Sequence, residues 1–156
     1  EPIRDILLRD FKIVECMPEK IQDMERRITA EESVCVHIRR GDYVNNTQFG
    51  VCTEAYYKAA MRAMSERLDH PVFYVFSDDI PYAMEKYSGD DFTIVDINKG
   101  KDSFYDIWLM SNCRHNICAN STFSFWGARL NQNKEKIIIY PKHWLPSIIP
   151  EGWIRM

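Results

Sequence analysis

The feature that most constrains this chain is an apolar run that stops at two cations. Val34-Cys35-Val36-His37-Ile38 has the small and β-branched composition of a buried strand, and it is followed directly by Arg39-Arg40-Gly41-Asp42-Tyr43. Charge gathers where a buried strand ends. The same layout recurs along the chain. Apolar runs at 72–76, 92–96, 115–119 and 136–140 read as four more strands, and several of them close on polar residues. Between the strands lie segments with helical spacing: 53–68 behind the capping residue Thr53, 81–87 with Pro81 in its first turn, 102–113, and 123–131. Two further helices are expected before the first strand, one over 3–15 with Ile3, Leu7 and Phe11 on one face, and one over 18–30. Five strands alternating with helices predict a parallel sheet with helices on both faces, an α/β Rossmann-like fold. The 156 residues are enough for one domain with a real core.

Composition removes several classes of function. A formal charge of −3 is wrong for a general nucleic-acid binder, which needs a net basic surface to displace counterions. Any affinity for phosphate must therefore be local. No apolar run has the length of a membrane span, and Glu1-Pro2-Ile3-Arg4-Asp5 lacks a signal peptide's basic start and apolar middle. The five cysteines are odd in number and contain no Cys-x-x-Cys spacing. Cys35 and Cys118 sit inside strand-like runs, so the thiols read as small hydrophobes in a reducing compartment, without disulfides or zinc.

Three strand ends carry polar clusters: His37 with Arg39, Arg40 and Asp42; Ser77 with Asp78 and Asp79; Asn120 with Ser121, Thr122 and Ser124. In a parallel sheet all three fall on one edge, where open α/β folds bind their ligands. Paired guanidinium groups suit phosphate oxygens, and the amides opening the helix after Ser121 have no intrahelical acceptor. Helix capping alone accounts for Asp78, Asp79, Ser121 and Thr122 taken singly, and salt bridging or core packing for the arginines and His37. Those explanations do not predict the three clusters together. Arg40-Gly41-Asp42 spells an adhesion tripeptide but follows a buried strand, and Asn45-Asn46-Thr47 and Asn120-Ser121-Thr122 match a glycosylation pattern short enough to recur by chance. Asp78-Asp79 lacks the separated acidic pair of a nucleotide-bound metal ion.

His37-Ile38-Arg39-Arg40-Gly41-Asp42-Tyr43 resembles the HxRRGDY signature of the α-1,2-fucosyltransferases, glycosyltransferase family 11. Phe76-Ser77-Asp78-Asp79 resembles that family's second motif, and the long run from Asp106 to Ala128, with Asn120-Ser121-Thr122-Phe123-Ser124-Phe125-Trp126-Gly127 at its centre, its third. The likeness extends over nearly the whole chain. It implies the nucleotide-binding half of a GT-B glycosyltransferase, an inverting enzyme that moves L-fucose from GDP-L-fucose to the 2-hydroxyl of a terminal galactoside, with no metal or other cofactor. In that reading Arg39 meets the β-phosphate with Arg40 beside it, and His37 holds the loop. Asp78 or Asp79 accepts from the guanine edge or ribose, and Ser121, Thr122, Phe123 and Ser124 contact the donor. Asp106 supports the site, and Asp42 is the candidate general base.

The family's glycine-rich GGLGNQ-type opening segment is not in this sequence, and Phe125 and Arg129 stand where the family often has tryptophan. The resemblance therefore implies that residues 1–156 form a C-terminal domain, with the N-terminal domain and much of the acceptor site elsewhere. The implied location is cytoplasmic or membrane-associated, in a bacterium, and the implied partners are GDP-fucose and a galactoside-terminated oligosaccharide. Two alternatives stand beside it: a non-catalytic nucleotide-binding module, and fucosyl transfer to protein or core glycan.

Overall fold

Six parallel strands form a single sheet in the computed structural model, which describes residues 3–11, 13, 16–44, 46, 50–144 and 146–156. The strands are β1 (Ser33–Ile38), β2 (Val72–Ser77), β3 (Phe92–Ile94), β4 (His115–Ile117), β5 (Ile138–Tyr140) and β6 (Ile154–Arg155). The helices are α1 (Arg4–Asp10), α2 (Glu19–Ala30), α3 (Glu54–Ser65), α4 (Ile80–Lys86), α5 (Phe104–Asn112) and α6 (Thr122–Arg129). Strand order across the sheet is β3-β2-β1-β4-β5-β6. The chain builds outward from β1 to β3, then returns to lay β4 on the other flank of β1, so the order reverses between β1 and β4.

Alternation along β1 sorts its side chains between two cores. Val34, Val36 and Ile38 pack with Phe73 and Val75 of β2 against Tyr57, Ala60 and Met64 of α3 and Ala83 of α4. Cys35 faces the other way with Tyr74 and Phe76, against Ile21 and Ile28 of α2 and Tyr105, Leu109 and Met110 of α5. All six residues of β1 are buried, which is why the strand reads as a continuous apolar run. Each fully buried Val, Ile or Leu contributes about 1.5–3 kcal/mol over leaving it exposed.

Helix starts follow the sequence signals. Thr53 accepts from the Tyr56 amide at 3.2 Å to open α3, and Asp79 accepts from the Tyr82 amide at 3.1 Å to open α4. Between α5 and α6 the helices approach closely because Gly127 has no side chain: a Cβ there would lie 2.7 Å from Met110 Cε and 2.8 Å from Met110 Cβ.

The expected architecture is found, with corrections. The sixth strand, in the Pro- and Trp-rich tail, pairs with β5 through Ile139–Ile154 and Tyr140–Arg155 and is exposed, so two residues without a buried face left no period to read. The first helix spans only Arg4–Asp10, and its apolar stripe is not core: Ile3 is 58% and Phe11 52% exposed, the latter stacked on Trp126 at 4.9 Å. Lys12, Val14 and Glu15 of that expected helix, and most of the expected polar loop (Asn45 and residues 47–49), lie outside the described residues. No described helix is long and apolar enough to cross a membrane.

The α5–α6 contact generates a prediction. In an isolated helix Gly→Ala stabilises by about 1 kcal/mol. At Gly127 the sign reverses, because the added methyl meets Met110 Cβ as well as its flexible tip. Gly127→Ala is expected to destabilise the fold by about 1–3 kcal/mol, read as a lower urea midpoint.

Candidate functional site

The carboxyl ends of β1 and β2 are tied together by one carboxylate. Asp78 accepts from the Arg40 backbone N–H at 2.8 Å through Oδ1 and pairs with Arg39 Nη1 at 3.0 Å through Oδ2. The approach is possible because residue 41 is glycine; a Cβ there would stand 2.5 Å from Asp78 Oδ2. Arg39 Nη2 also donates to Asp42 Oδ1 at 2.6 Å. Arg40 turns the other way: its Nε donates to Asp79 Oδ2 at 2.9 Å and its guanidinium lies 3.8 Å from the centre of the Tyr82 ring. The hydrogen bond from Arg40 holds the Asp79 carboxyl below its ordinary range.

Beside this cluster, on the α5 side of the sheet, opens a cavity of about 500 Å³ whose walls include His37, Arg39, Asp78, Asn98, Asp106 and Phe123. His37 is 5% exposed; its ring lies against Phe123 with centroids 5.5 Å apart, and its backbone carbonyl accepts from the Tyr57 hydroxyl at 3.0 Å. Burial, helped by the Arg39 charge, lowers the imidazole pKa to about 3, so the ring is neutral at ordinary pH. Its Nδ1 has no hydrogen-bond partner among the described residues. Asp106 behaves oppositely: burial raises its pKa to about 6 even though Asn98 Nδ2 donates to its Oδ1 at 2.7 Å. The Oδ1 of Asn98 is itself buried and, among the described residues, without a hydrogen-bond partner. A desolvated acid, a neutral imidazole and an aromatic ring thus line one cavity, the mix of apolar surface and few polar groups that small-molecule sites carry.

His37, Arg39, Ser77, Asp78, Asp106 and Phe123, all singled out from the sequence, thus line one cavity. Arg40 and Asp79 are held to each other and to α4 beside it. Ser121 occupies the N-cap position of α6, 5% exposed and making no side-chain cap hydrogen bond, while Thr122 is exposed. Simple capping therefore describes Asp79 but not Ser121 or Asp78. Ser124, expected to contact the donor, faces inward. It is 1% exposed, and its Oγ accepts from the Ala119 N–H at 2.9 Å, so the hydroxyl braces the β4–α6 turn from inside. The Asn120 side chain is likewise turned inward, Nδ2 donating to the Gly50 carbonyl at 3.1 Å and Oδ1 accepting from the Cys52 thiol at 3.4 Å.

Sequence reasoning missed Asn98 and Asp96, which line the cavity, and Tyr82, which flanks Arg40. Asp96-Ile97-Asn98-Lys99-Gly100 follows β3 as the other polar clusters follow β1, β2 and β4, so the same strand-end rule would have found it.

The family described as Glycosyl transferase family 11 matches residues 3–147. An alpha-1,2-colitosyltransferase of Escherichia coli is 42% identical over 143 residues, covering 83% of this chain and 49% of that protein. The O-antigen biosynthesis glycosyltransferase WbnK of Escherichia coli is 32% identical, covering 98% of this chain and 55% of the relative. A galactoside alpha-(1,2)-fucosyltransferase 1 of Leontopithecus chrysomelas is 28% identical over 82% of this chain and 39% of its own length. The chain spans about half the length, or less, of the curated relatives it matches.

The two shifted groups pull stability in opposite directions. Asp106 binds its proton more tightly folded than unfolded, so its contribution is lost as pH rises from 3.8 to about 6. His37 binds its proton less tightly folded, so stability falls as pH drops from 6.5 toward 3. Asp106→Asn removes the buried charge. It is expected to raise stability at pH 8 by on the order of 1–3 kcal/mol and to leave it little changed at pH 4, measured by urea unfolding at the two pH values.

Proposed function

Because the chain belongs to glycosyl transferase family 11, we propose that the Asp106 cavity and the Arg39–Arg40 rim together receive a nucleotide sugar, GDP-L-fucose in the first instance. The observation that carries the reading is the convergence of His37, Arg39, Asp106 and Phe123 on one cavity at the carboxyl edge of a parallel sheet, beside its topological switch point. The base enters against Phe123 and His37. Guanine presents two adjacent N–H donors on its Watson–Crick edge, and Asp106, held by Asn98, supplies an ionised acceptor for them. Asp78 and Asp79 are engaged with the arginines, so base reading passes to Asp106.

The diphosphate then lies at Arg39, with the amides that open α6 on its other side. Two of the five guanidinium N–H groups of Arg39 meet Asp42 and Asp78, leaving the others for phosphate oxygens. In transfer, the bond from the anomeric carbon to the β-phosphate oxygen breaks with its electron pair on that oxygen, where fixed positive charge stabilises it; this chain's own cations serve that purpose without a metal ion. The acceptor hydroxyl forms the new bond from the opposite face, inverting the centre, and gives its proton to a carboxylate. In this reading Asp42, exposed and paired with Arg39, takes that role. The acceptor in this reading is the 2-hydroxyl of a terminal galactoside, and the whole enzyme is of GT-B form with this chain as its nucleotide-binding half. A colitosyl donor is the second reading, favoured by the 42% identical relative; colitose is L-fucose without one ring hydroxyl, so the same site is proposed for either.

Calorimetry with GDP tests the reading. Arg39→Ala is expected to weaken GDP by roughly 10–100-fold, the scale of losing a charge-assisted hydrogen bond. Since Asp106 accepts from guanine only when ionised, GDP affinity should fall as pH drops through about 6, and Asp106→Asn should lose that pH dependence. Unchanged binding in Arg39→Ala would remove the donor assignment. Fucose release from GDP-fucose that does not respond to a galactoside would favour a binding module over a transferase.

A further inference from the structure

A second and larger crevice lies on the α3 side of the sheet, across the switch point from the Asp106 cavity. It measures about 820 Å³, and its apolar wall includes Val51, Cys52, Tyr56 and Met156. The fixed charges on its rim are of one sign. Lys142, His143 and Arg155 line it, and among the described residues no Asp or Glu does. The contrast with the neighbouring site is sharp, since Arg39 and Arg40 are each ion-paired with aspartate. Among the described residues neither Lys142 nor Arg155 lies within ion-pair distance of an Asp or Glu side chain, in a chain whose net charge is −3.

The arginine is also held in place. Arg155 donates from Nε at 3.2 Å and from Nη2 at 2.8 Å to the Lys142 carbonyl, and its backbone is fixed by the β5–β6 pairing. Asn120 lines the crevice and directly precedes Ser121 at the start of α6, the helix that also brings Phe123 to the Asp106 cavity. Apolar walls suit the C–H faces of sugar rings, and cations with no carboxylate partner suit phosphate or carboxylate oxygens.

We propose that this crevice is a subsite for a negatively charged acceptor saccharide, one bearing a phosphate or carboxylate that Lys142 and Arg155 recognise. The assignment rests on the reading of the Asp106 cavity as the nucleotide site, which places the transferred sugar between the two. It deepens that reading by adding charge to the acceptor's description.

The test is a two-dimensional ¹⁵N NMR titration of the whole chain with lactose 1-phosphate and with neutral lactose, each with and without saturating GDP. Lactose 1-phosphate should shift the amides of Asn120, Lys142 and Arg155 in the presence of GDP and bind at least tenfold more tightly than lactose. Lys142→Gln/Arg155→Gln should remove that advantage while GDP affinity stays within twofold, both side chains being exposed and the spectrum itself reporting the fold. Equal binding of the two saccharides, an unaltered advantage in the double variant, or shifts confined to Arg39 and Asp106 would each overturn the proposal. If GDP does not bind while lactose 1-phosphate still shifts the Lys142 crevice, the anionic subsite stands and the nucleotide reading falls alone.

Discussion

The Asp78 carboxylate is the contact on which the site is built. One oxygen takes the Arg40 backbone N–H and the other the Arg39 guanidinium, so a single side chain from the end of β2 fixes both the path and the charge of the segment leaving β1. Gly41 is the condition for it, because any Cβ would stand where the carboxylate oxygen lies. The pair is partly exposed, 33% for Arg39 and 24% for Asp78, so its worth to overall stability is small. Its consequence is orientation: a guanidinium held on two sides presents its remaining donors in one direction, and less freedom is lost when an anion binds.

The same edge shows how burial divides labour among like residues. Asp42, Asp78, Asp79 and Asp106 are chemically identical, yet one is exposed, one clamps two strands, one caps a helix, and one is desolvated until its pKa reaches about 6. A carboxylate with a raised pKa is a cost to the fold at neutral pH. Such a cost is common where a site must offer an ionised acceptor to a ligand in a dry pocket. His37, its imidazole neutral, lines the same cavity.

Much of the architecture was legible before any coordinates. Strands such as Val34–Ile38 and Val72–Phe76 are buried on both faces, and only a sheet covered by helices on each side accepts an unbroken apolar run. The elements that were misread are those whose burial does not follow from their own residues. The exposed β6 exists because β5 offers it a hydrogen-bonding edge, and Ile3 and Phe11 on the apolar stripe of α1 stay more than half exposed, with Phe11 stacked on Trp126 of α6. The site was legible as a set of strand ends. The step from Asp96 to Asn98 was passed over although it obeys the same rule, and Ser124, which looked like its neighbour Ser121, is turned into the β4–α6 turn.

By itself the sequence determined that the chain alternates strand and helix, that polar residues gather where strands end, and that Arg39-Arg40-Gly41-Asp42 and the Asn120–Gly127 run follow the wording of one glycosyltransferase family. These are local properties: periodicity and residue type are written along the chain. Which aspartate grips which arginine, which serine faces inward, and the separation of a mixed-charge cavity from a cationic crevice were decided only by the tertiary structure. Each of those depends on distances between strands and on access to water, and neither exists until β1 is laid between β2 and β4.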